Sequence, residues 1–224
     1  MKTCVLIPTY NEAKTIGWLI RKIRELGIEE VIVVDDGSTD NTSKIAEENG
    51  AKLLRNSKNL GKGNALRRGF SYCLENNFDV VITMDGDGQH SPEEIPHFLK
   101  VLESNKKVDL VIGNRMHSPQ GMPLLRFFTN KIMSWIISLM VKQKIPDTQC
   151  GFRLFKREVL EKINLRTEKF EIESEILMEA IRKGFSISTV PIKTIYLYDS
   201  VSQIDPVVDT FRFLKFILRT LLRW

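Results

Sequence analysis

The chain has 224 residues, 42% hydrophobic and 27% charged, which is globular composition long enough for one sizeable core and argues against two domains. Its 33 Lys and Arg outnumber 28 Asp and Glu, and the net charge of +5 permits anionic partners such as nucleotides, phosphates or a membrane surface without choosing among them. Cys4, Cys73 and Cys150 form no close pair in the sequence, which excludes a disulfide framework and a zinc knuckle and fits a reducing compartment.

The first predicted strand is "CVLIP" (4–8), and because it begins at once no signal peptide is expected. Residues 12–26 place Ile16, Leu19, Ile20, Ile23 and Leu26 on one helical stripe, with Gly27 as the stop. "VIVVD" (31–35) is the second strand, and "DDGSTDNT" (35–42) turns into a helix capped by Ser38 or Asp40. That cap leaves Asp35 and Asp36 unexplained, and acids at such strand ends bond ribose hydroxyls or a base N–H in nucleotide-binding α/β folds. "AKLL" (51–54) is a third strand. "NLGKGNA" (59–65) leads into a helix over 62–76; it lacks P-loop spacing, so its glycines read as tight packing at a helix start, with Lys62 in reach of a phosphate.

"VVITM" (80–84) is the fourth strand and ends in "DGDGQH" (85–90). Ser91 as N-cap, Pro92 at the first position and Glu94 in a capping box open the next helix. "DLVIG" (109–113) is a fifth strand, followed by "GNR" (113–115). Residues 123–141 read as a helix on which Arg126, Asn130, Ser134 and Ser138 form one polar stripe amid apolar residues. "DTQCGFRLFKR" (147–157) is a loop into a strand, 171–183 a helix, and "ISTVPIKTIYL" (187–197) a strand. Residues 205–224 form a basic amphipathic helix, with Arg212, Lys215, Arg219 and Arg223 within about 80° of the wheel. The expected organisation is a domain over 1–204 followed by this helix over 205–224. No uninterrupted apolar stretch reaches the roughly 20 residues needed to span a bilayer.

Alternating strands and helices predict a mostly parallel sheet with helices on both faces, and ligands bind at the carboxyl ends of such strands. Glu12, Asp35, Asp36, Asp85 and Asp87 would then crowd one edge. They would repel each other and lose solvation unless a divalent cation joined them, and hard oxygen ligands suit magnesium or manganese. The competing reading of Asp85 and Asp87 is a solvated turn after a strand. The histidines make no ligand cluster: His97 lies inside a helix, His117 in a loop, and His90 adjoins the two aspartates.

"IPTYNE", "VVDDGSTDNT", "NLGKGNALRRGF", "MDGDGQH", "GNR" and "DTQCGFRLF" together resemble the family 2 glycosyltransferases, from about residue 3 to 195 and in the family's order. The nearest resemblance is to the subgroup of dolichol-phosphate mannose synthase and the polyprenyl-phosphate glucosyltransferases. It implies the GT-A fold, a nucleotide-binding α/β sandwich, and inverting transfer of a sugar from a GDP- or UDP-linked donor to a polyprenyl phosphate. By that resemblance Pro8, Tyr10, Glu12 and Asp36 surround the nucleoside, and Asp85, Asp87 and Gln89 hold Mg2+ or Mn2+. Arg115 lies near the sugar phosphate, and Asp147 faces the acceptor as candidate base. Glu173 is either a functional acid or part of an exposed charged helix face. The chain departs from the subgroup at 198–206, where Val201 and Gln203 stand in place of basic residues.

A phosphate monoester is largely dianionic at neutral pH, so such an acceptor needs positive charge and alignment more than a base. Arg126, Lys131 and Arg153 are the candidates for that role. The two amphipathic helices fit an enzyme lying peripherally on the cytoplasmic face of a membrane, or else a core or dimer contact. The partners implied are a nucleotide-sugar, a lipid-linked acceptor and a membrane surface, and no nucleic acid. Three alternatives compete: a family 2 transferase using a sugar hydroxyl, a sugar nucleotidyltransferase, and a non-catalytic nucleotide-binding α/β protein. "PTYNE" after the first strand argues against the nucleotidyltransferase, which usually carries a glycine-rich loop there.

Overall fold

Runs of Val and Ile that are apolar at every position need cover on both faces, and a sheet flanked by helices supplies it. The computed structural model describes residues 1–195 and the backbone of 206–221, with side chains over 211–220. The strands are β1 (Thr3–Thr9), β2 (Val31–Asp35), β3 (Lys52–Arg55), β4 (Val80–Thr83), β5 (Leu110–Asn114), β6 (Arg153–Lys156) and β7 (Ile187–Pro191). The helices are α1 (Ile16–Glu25), α2 (Thr42–Glu48), α3 (Lys62–Glu75), α4 (Ile95–Ser104), α5 (Leu124–Met140), α6 (Arg157–Lys162), α7 (Ile172–Arg182) and α8 (Pro206–Leu221). One sheet runs in the order β3-β2-β1-β4-β6-β5-β7. All pairings are parallel except those of β6, which lies antiparallel between β4 and β5.

That single reversal positions the site. The carboxyl ends of β1, β2, β4 and β5 share one edge, as expected, and β6 enters the sheet from the same edge with Arg153 opposite Thr83. The loop before β6 therefore lies beside the turn after β4, and Thr83 Oγ1 donates to Gly151 O at 2.7 Å.

Several local expectations change. Helix α1 starts at Ile16 rather than residue 12, because Asn11 takes a left-handed φ of 56° and Glu12 O caps the turn. Gly27, at φ 81°, ends it as read from the sequence. Pro92 and Glu94 span a 3-10 turn before α4, and Ser91 makes no side-chain cap; Glu94 instead bonds His97 and Lys193 N. Cys4 and Cys73, distant in sequence, meet with sulfurs 3.6 Å apart where α3 crosses β1, and both are free thiols. The segment 198–205, with Val201 and Gln203, and residues Arg223 and Trp224 lie outside the described residues.

Helix α5 is inverted relative to an ordinary surface helix. Its polar stripe faces inward: Asn130 and Ser134 are buried, Ser134 Oγ accepts from Thr148 N, and Ser138 Oγ accepts from Ile145 N. Its apolar side chains face out, with Leu124, Leu125, Phe128, Ile132, Trp135 and Leu139 each more than half exposed. Helix α8 divides its apolar residues, burying Phe213 and Ile217 in the common core and exposing Phe211, Leu214 and Leu218. Among the described residues no helix is long and apolar enough to cross a membrane.

Packing of α3 on β1 depends on Gly69, where a Cβ would stand 2.4 Å from Leu6 Cδ1 and 3.0 Å from its Cγ. Gly69→Ala would gain up to about 1 kcal/mol of helix propensity but force an overpacking strain of about 1–3 kcal/mol. We expect net destabilisation, read as a lower urea midpoint with an unchanged denaturant slope.

Candidate active site

The two acids after β2 are already engaged by the protein. Asp35 is fully buried; it accepts from Ser38 N at 2.9 Å and from the Ser43 hydroxyl, with Arg55 3.6 Å away. It anchors the β2–α2 turn and is not available to a nucleoside. Asp36 accepts from Asn56 Nδ2 (2.8 Å), Leu60 N (2.9 Å) and Gly61 N (2.6 Å). Its carboxylate thus ties the glycine loop to the end of β2, and the wall it shapes, rather than a free oxygen, is what it presents. The loop glycines serve close packing: a Cβ on Gly63 would stand 2.4 Å from Thr167 O. Pro8 is buried within β1, and Tyr10 stands half-buried just beyond its end.

The turn after β4 gathers the remaining acids. Thr15 Oγ1 donates to Gly86 O at 2.6 Å, pinning the turn against the start of α1 and bringing Glu12 beside it. Burial, then the charges of Asp87, Asp40 and Asp85, push the Glu12 carboxyl up to about 7. Asp87 is raised as well, by burial and by Asp85. Asp85 goes the other way: burial would raise it, but Lys62, with help from His90 and Arg115, holds it below the usual carboxylate range. Lys62 Nζ lies 2.5 Å from Asp85 Oδ1 and 2.8 Å from Glu173 Oε1.

Glu173 is 4% exposed, so it is no solvated helix face. It is held by Arg153, whose Nη2 lies 2.9 Å from Glu173 Oε2. Arg153 is fully buried and donates to Cys150 O, Thr148 O and Glu173 O at 2.8–2.9 Å. Every nitrogen of its guanidinium is spent on the fold, which removes it from the residues that could grip an acceptor phosphate.

Asp147 is also reassigned. Its carboxylate takes a bidentate pair from Arg115, Nε at 2.7 Å and Nη2 at 2.9 Å, plus the Arg115 and Gln149 backbone N–H groups. Burial would raise it, but Arg115 holds it below its ordinary value. A wholly buried carboxylate with occupied lone pairs and a lowered proton affinity is a poor general base. It orients Arg115, which is itself 3% exposed.

Gln89 connects this pole to α5, since Arg126 Nη1 donates to Gln89 Oε1 at 3.1 Å. Lys131 is exposed and lies over the Phe127 ring at 5.7 Å. His90 stacks near Phe152 with centroids 5.4 Å apart, and burial lowers it to about 4, so it is neutral at pH 7. Its backbone bridges to Thr194, closing the strand edge beside the turn. His97 is exposed, on Glu94, and His117 is exposed as well. The residue that sequence reading passed over is Gly151, in the motif "DTQCGFR". A Cβ there would stand 2.7 Å from both Asp85 oxygens and 2.8 Å from Lys62 Nζ. Its position two residues before an arginine-led strand was visible, but its partner lies on another strand.

Among the described residues no three His, Cys, Asp or Glu side chains converge as a preformed metal cage. The donor chemistry nonetheless fits a hard divalent ion: Asp85 and Asp87 offer carboxylates and Gln89 an amide oxygen, and burial and the neighbouring carboxylates that raise Glu12 and Asp87 are what a bound cation would offset.

A mostly parallel α/β sheet with carboxylates gathered at its strand ends places a ligand site at that edge, and comparison with known proteins supplies the class. The Glycosyl transferase family 2 model matches residues 4–164, and the chain belongs to that family. It is therefore a glycosyltransferase, of GT-A fold. It is 30% identical over 230 residues to a Methanococcus voltae UDP-N-acetylglucosamine–dolichyl-phosphate N-acetylglucosaminyltransferase, covering 93% of this chain and 91% of the relative. It is 31% identical over 205 residues to the polyprenol monophosphomannose synthase of Mycolicibacterium smegmatis, covering 85% and 76%. The fold is similar to glucosyl-3-phosphoglycerate synthase from Mycobacterium tuberculosis, solved with Mn2+, UDP and phosphoglyceric acid. That match has a TM-score of 0.76 at 20% identity, covering 99% of this chain and 78% of the other.

Asp147→Asn would leave Arg115 buried without its counter-charge, at an expected cost of about 3–5 kcal/mol in chemical denaturation. Glu12 makes the opposite kind of test. From its ordinary 4.5 up to about 7 the folded chain holds a proton that the unfolded chain has released. Stability therefore falls as pH rises across that window. Thermal unfolding of Glu12→Gln should show a flatter profile there than the unaltered chain.

Proposed function

We propose that this chain transfers a sugar from a nucleotide diphosphate sugar to a polyprenyl or dolichyl phosphate, with inversion, at the cytoplasmic face of a membrane. The observation that carries the reading is the inverted helix α5. Its outward apolar side chains suit the acyl boundary of a bilayer, while its inward Arg126 is bonded to Gln89 of the "DGDGQ" turn. One helix thus joins a lipid-facing surface to the donor end of the sheet. The names of the two relatives above support the same acceptor class.

The residues divide the work as follows. Asp85, Asp87 and Gln89 would hold a divalent cation, which when bound neutralises the leaving diphosphate as a Lewis acid. Glu12 lies beside them, and a bound cation would favour its charged form. Asp36 shapes the nucleoside wall through the glycine loop, next to Pro8 and Tyr10. Arg115, locked by Asp147, presents fixed positive charge to the sugar phosphate without reorganising. Arg126 and Lys131 lie on α5, where an acceptor phosphate held at the membrane would meet them. A dianionic phosphate needs no proton removed before attack. The full engagement of Asp147 therefore weighs against the alternative of a sugar-hydroxyl acceptor, which would demand an open base.

The test is transfer of radiolabel from a panel of UDP- and GDP-sugars to polyprenyl phosphate in detergent with Mn2+ or Mg2+. One donor should be used, and Asp87→Asn should lower its rate about 100-fold or more. Transfer only to soluble glycans, with none to the lipid, would overturn the acceptor assignment. In a second assay, Phe128→Ser combined with Trp135→Ser should weaken binding to phospholipid vesicles by more than about tenfold, since each burial is worth about 1.5–3 kcal/mol. Both side chains are exposed, so thermal stability should change little.

A further inference from the structure

Lys62 reaches two carboxylates at the carboxyl edge of the sheet. It is the first residue of α3, immediately after Gly61, yet its side chain turns into the acidic pole and is only 14% exposed. Its ammonium contacts Asp85 at 2.5 Å and Glu173 at 2.8 Å. Glu173 is fixed from behind by the fully buried Arg153. The absence of a side chain at Gly151 leaves the space that the Lys62–Asp85 pair fills. Immediately before Lys62, the Leu60 and Gly61 N–H groups are held by Asp36. Lys62 is thus strung between the nucleoside wall and the carboxylate of the strand-end turn.

We propose that Lys62 is a resident counter-cation of Asp85, which a divalent ion must displace in order to bind. This rests on the reading of Asp85 and Asp87 as the cation's ligands. The ammonium takes Asp85 Oδ1, and a divalent ion on the same carboxylate, at either oxygen, would lie close enough to be repelled by it. The bare ion therefore binds weakly. A nucleotide diphosphate changes the balance, because it offers the displaced ammonium a new anion within the side chain's reach. Ion and donor then bind cooperatively, and Asp85 keeps a counter-charge between turnovers.

The test counts free Mn2+ by electron paramagnetic resonance as it is titrated into the full chain without nucleotide. Lys62→Gln and Lys62→Met remove the charge; the glutamine keeps a hydrogen-bonding group should the methionine variant fail to fold. Each should bind Mn2+ at least about tenfold more tightly than the unaltered chain. Each should also show a smaller gain in Mn2+ affinity on adding UDP or GDP. Lys62→Arg, which keeps the charge, should bind as weakly as the unaltered chain. Asp85→Asn and Asp87→Asn separate the two ideas. If they weaken Mn2+ binding while the neutral Lys62 variants fail to tighten it, the counter-cation role is overturned and the cation site stands. If they leave Mn2+ binding unchanged, or if no variant binds Mn2+ even with UDP or GDP present, the cation site fails and the counter-cation role falls with it.

Discussion

Negative charge gathered at the ends of parallel strands is the constraint on which this molecule is organised. The topology brings Glu12, Asp85 and Asp87 to one edge, where burial and mutual repulsion raise Glu12 and Asp87. Burying such a set uncompensated is prohibitively costly. Each carboxylate nearby has been given a partner of its own: Asp36 the glycine loop, Asp85 and Glu173 the ammonium of Lys62, Asp147 the guanidinium of Arg115. What stays under-compensated is the side of Glu12 and Asp87.

Two buried arginines frame that pole, and each is held in place by the protein's own groups. Arg153 binds three carbonyls and Glu173; Arg115 forms a fork with Asp147. Buried ion pairs of this kind add little net stability compared with well-packed apolar residues. Their value is geometric. The planar fork fixes direction as well as distance, so the loops before β6 and after β5 are locked to α7 and to one another. A preorganised positive group is worth most where charge develops during reaction.

Helix α5 turns its polar stripe into the protein and its apolar side to the exterior. An apolar exterior of this extent on a soluble surface would invite aggregation. The polar stripe that would ordinarily face water is instead consumed inside, by Thr148, Ile145 and Gln89. Specific hydrogen bonding to the loop before β6 thus forces the apolar side outward, and the helix couples that exterior to the active-site turn.

The periodicity of the chain determined the alternation of strands and helices and the shared edge of the polar strand ends, while the short motifs at those ends carried the resemblance to the family. These are legible because side-chain period and strand-end composition are local properties. The acids too were legible as a group, and Asp85, Asp87, Glu12 and Arg115 meet there. Only the tertiary structure decided which of them remain available. Asp35, Asp147 and Arg153 looked like ligands because charge was visible, while for each a decisive partner lay on another element: Ser43, Arg115 and Glu173, eight to 32 residues away. The meeting of Cys4 with Cys73, the room that Gly151 leaves for Asp85, and the inward turn of α5's polar stripe are long-range in the same way. Burial and pairing are settled by chain segments distant in sequence, and no local pattern of residue types carries that information.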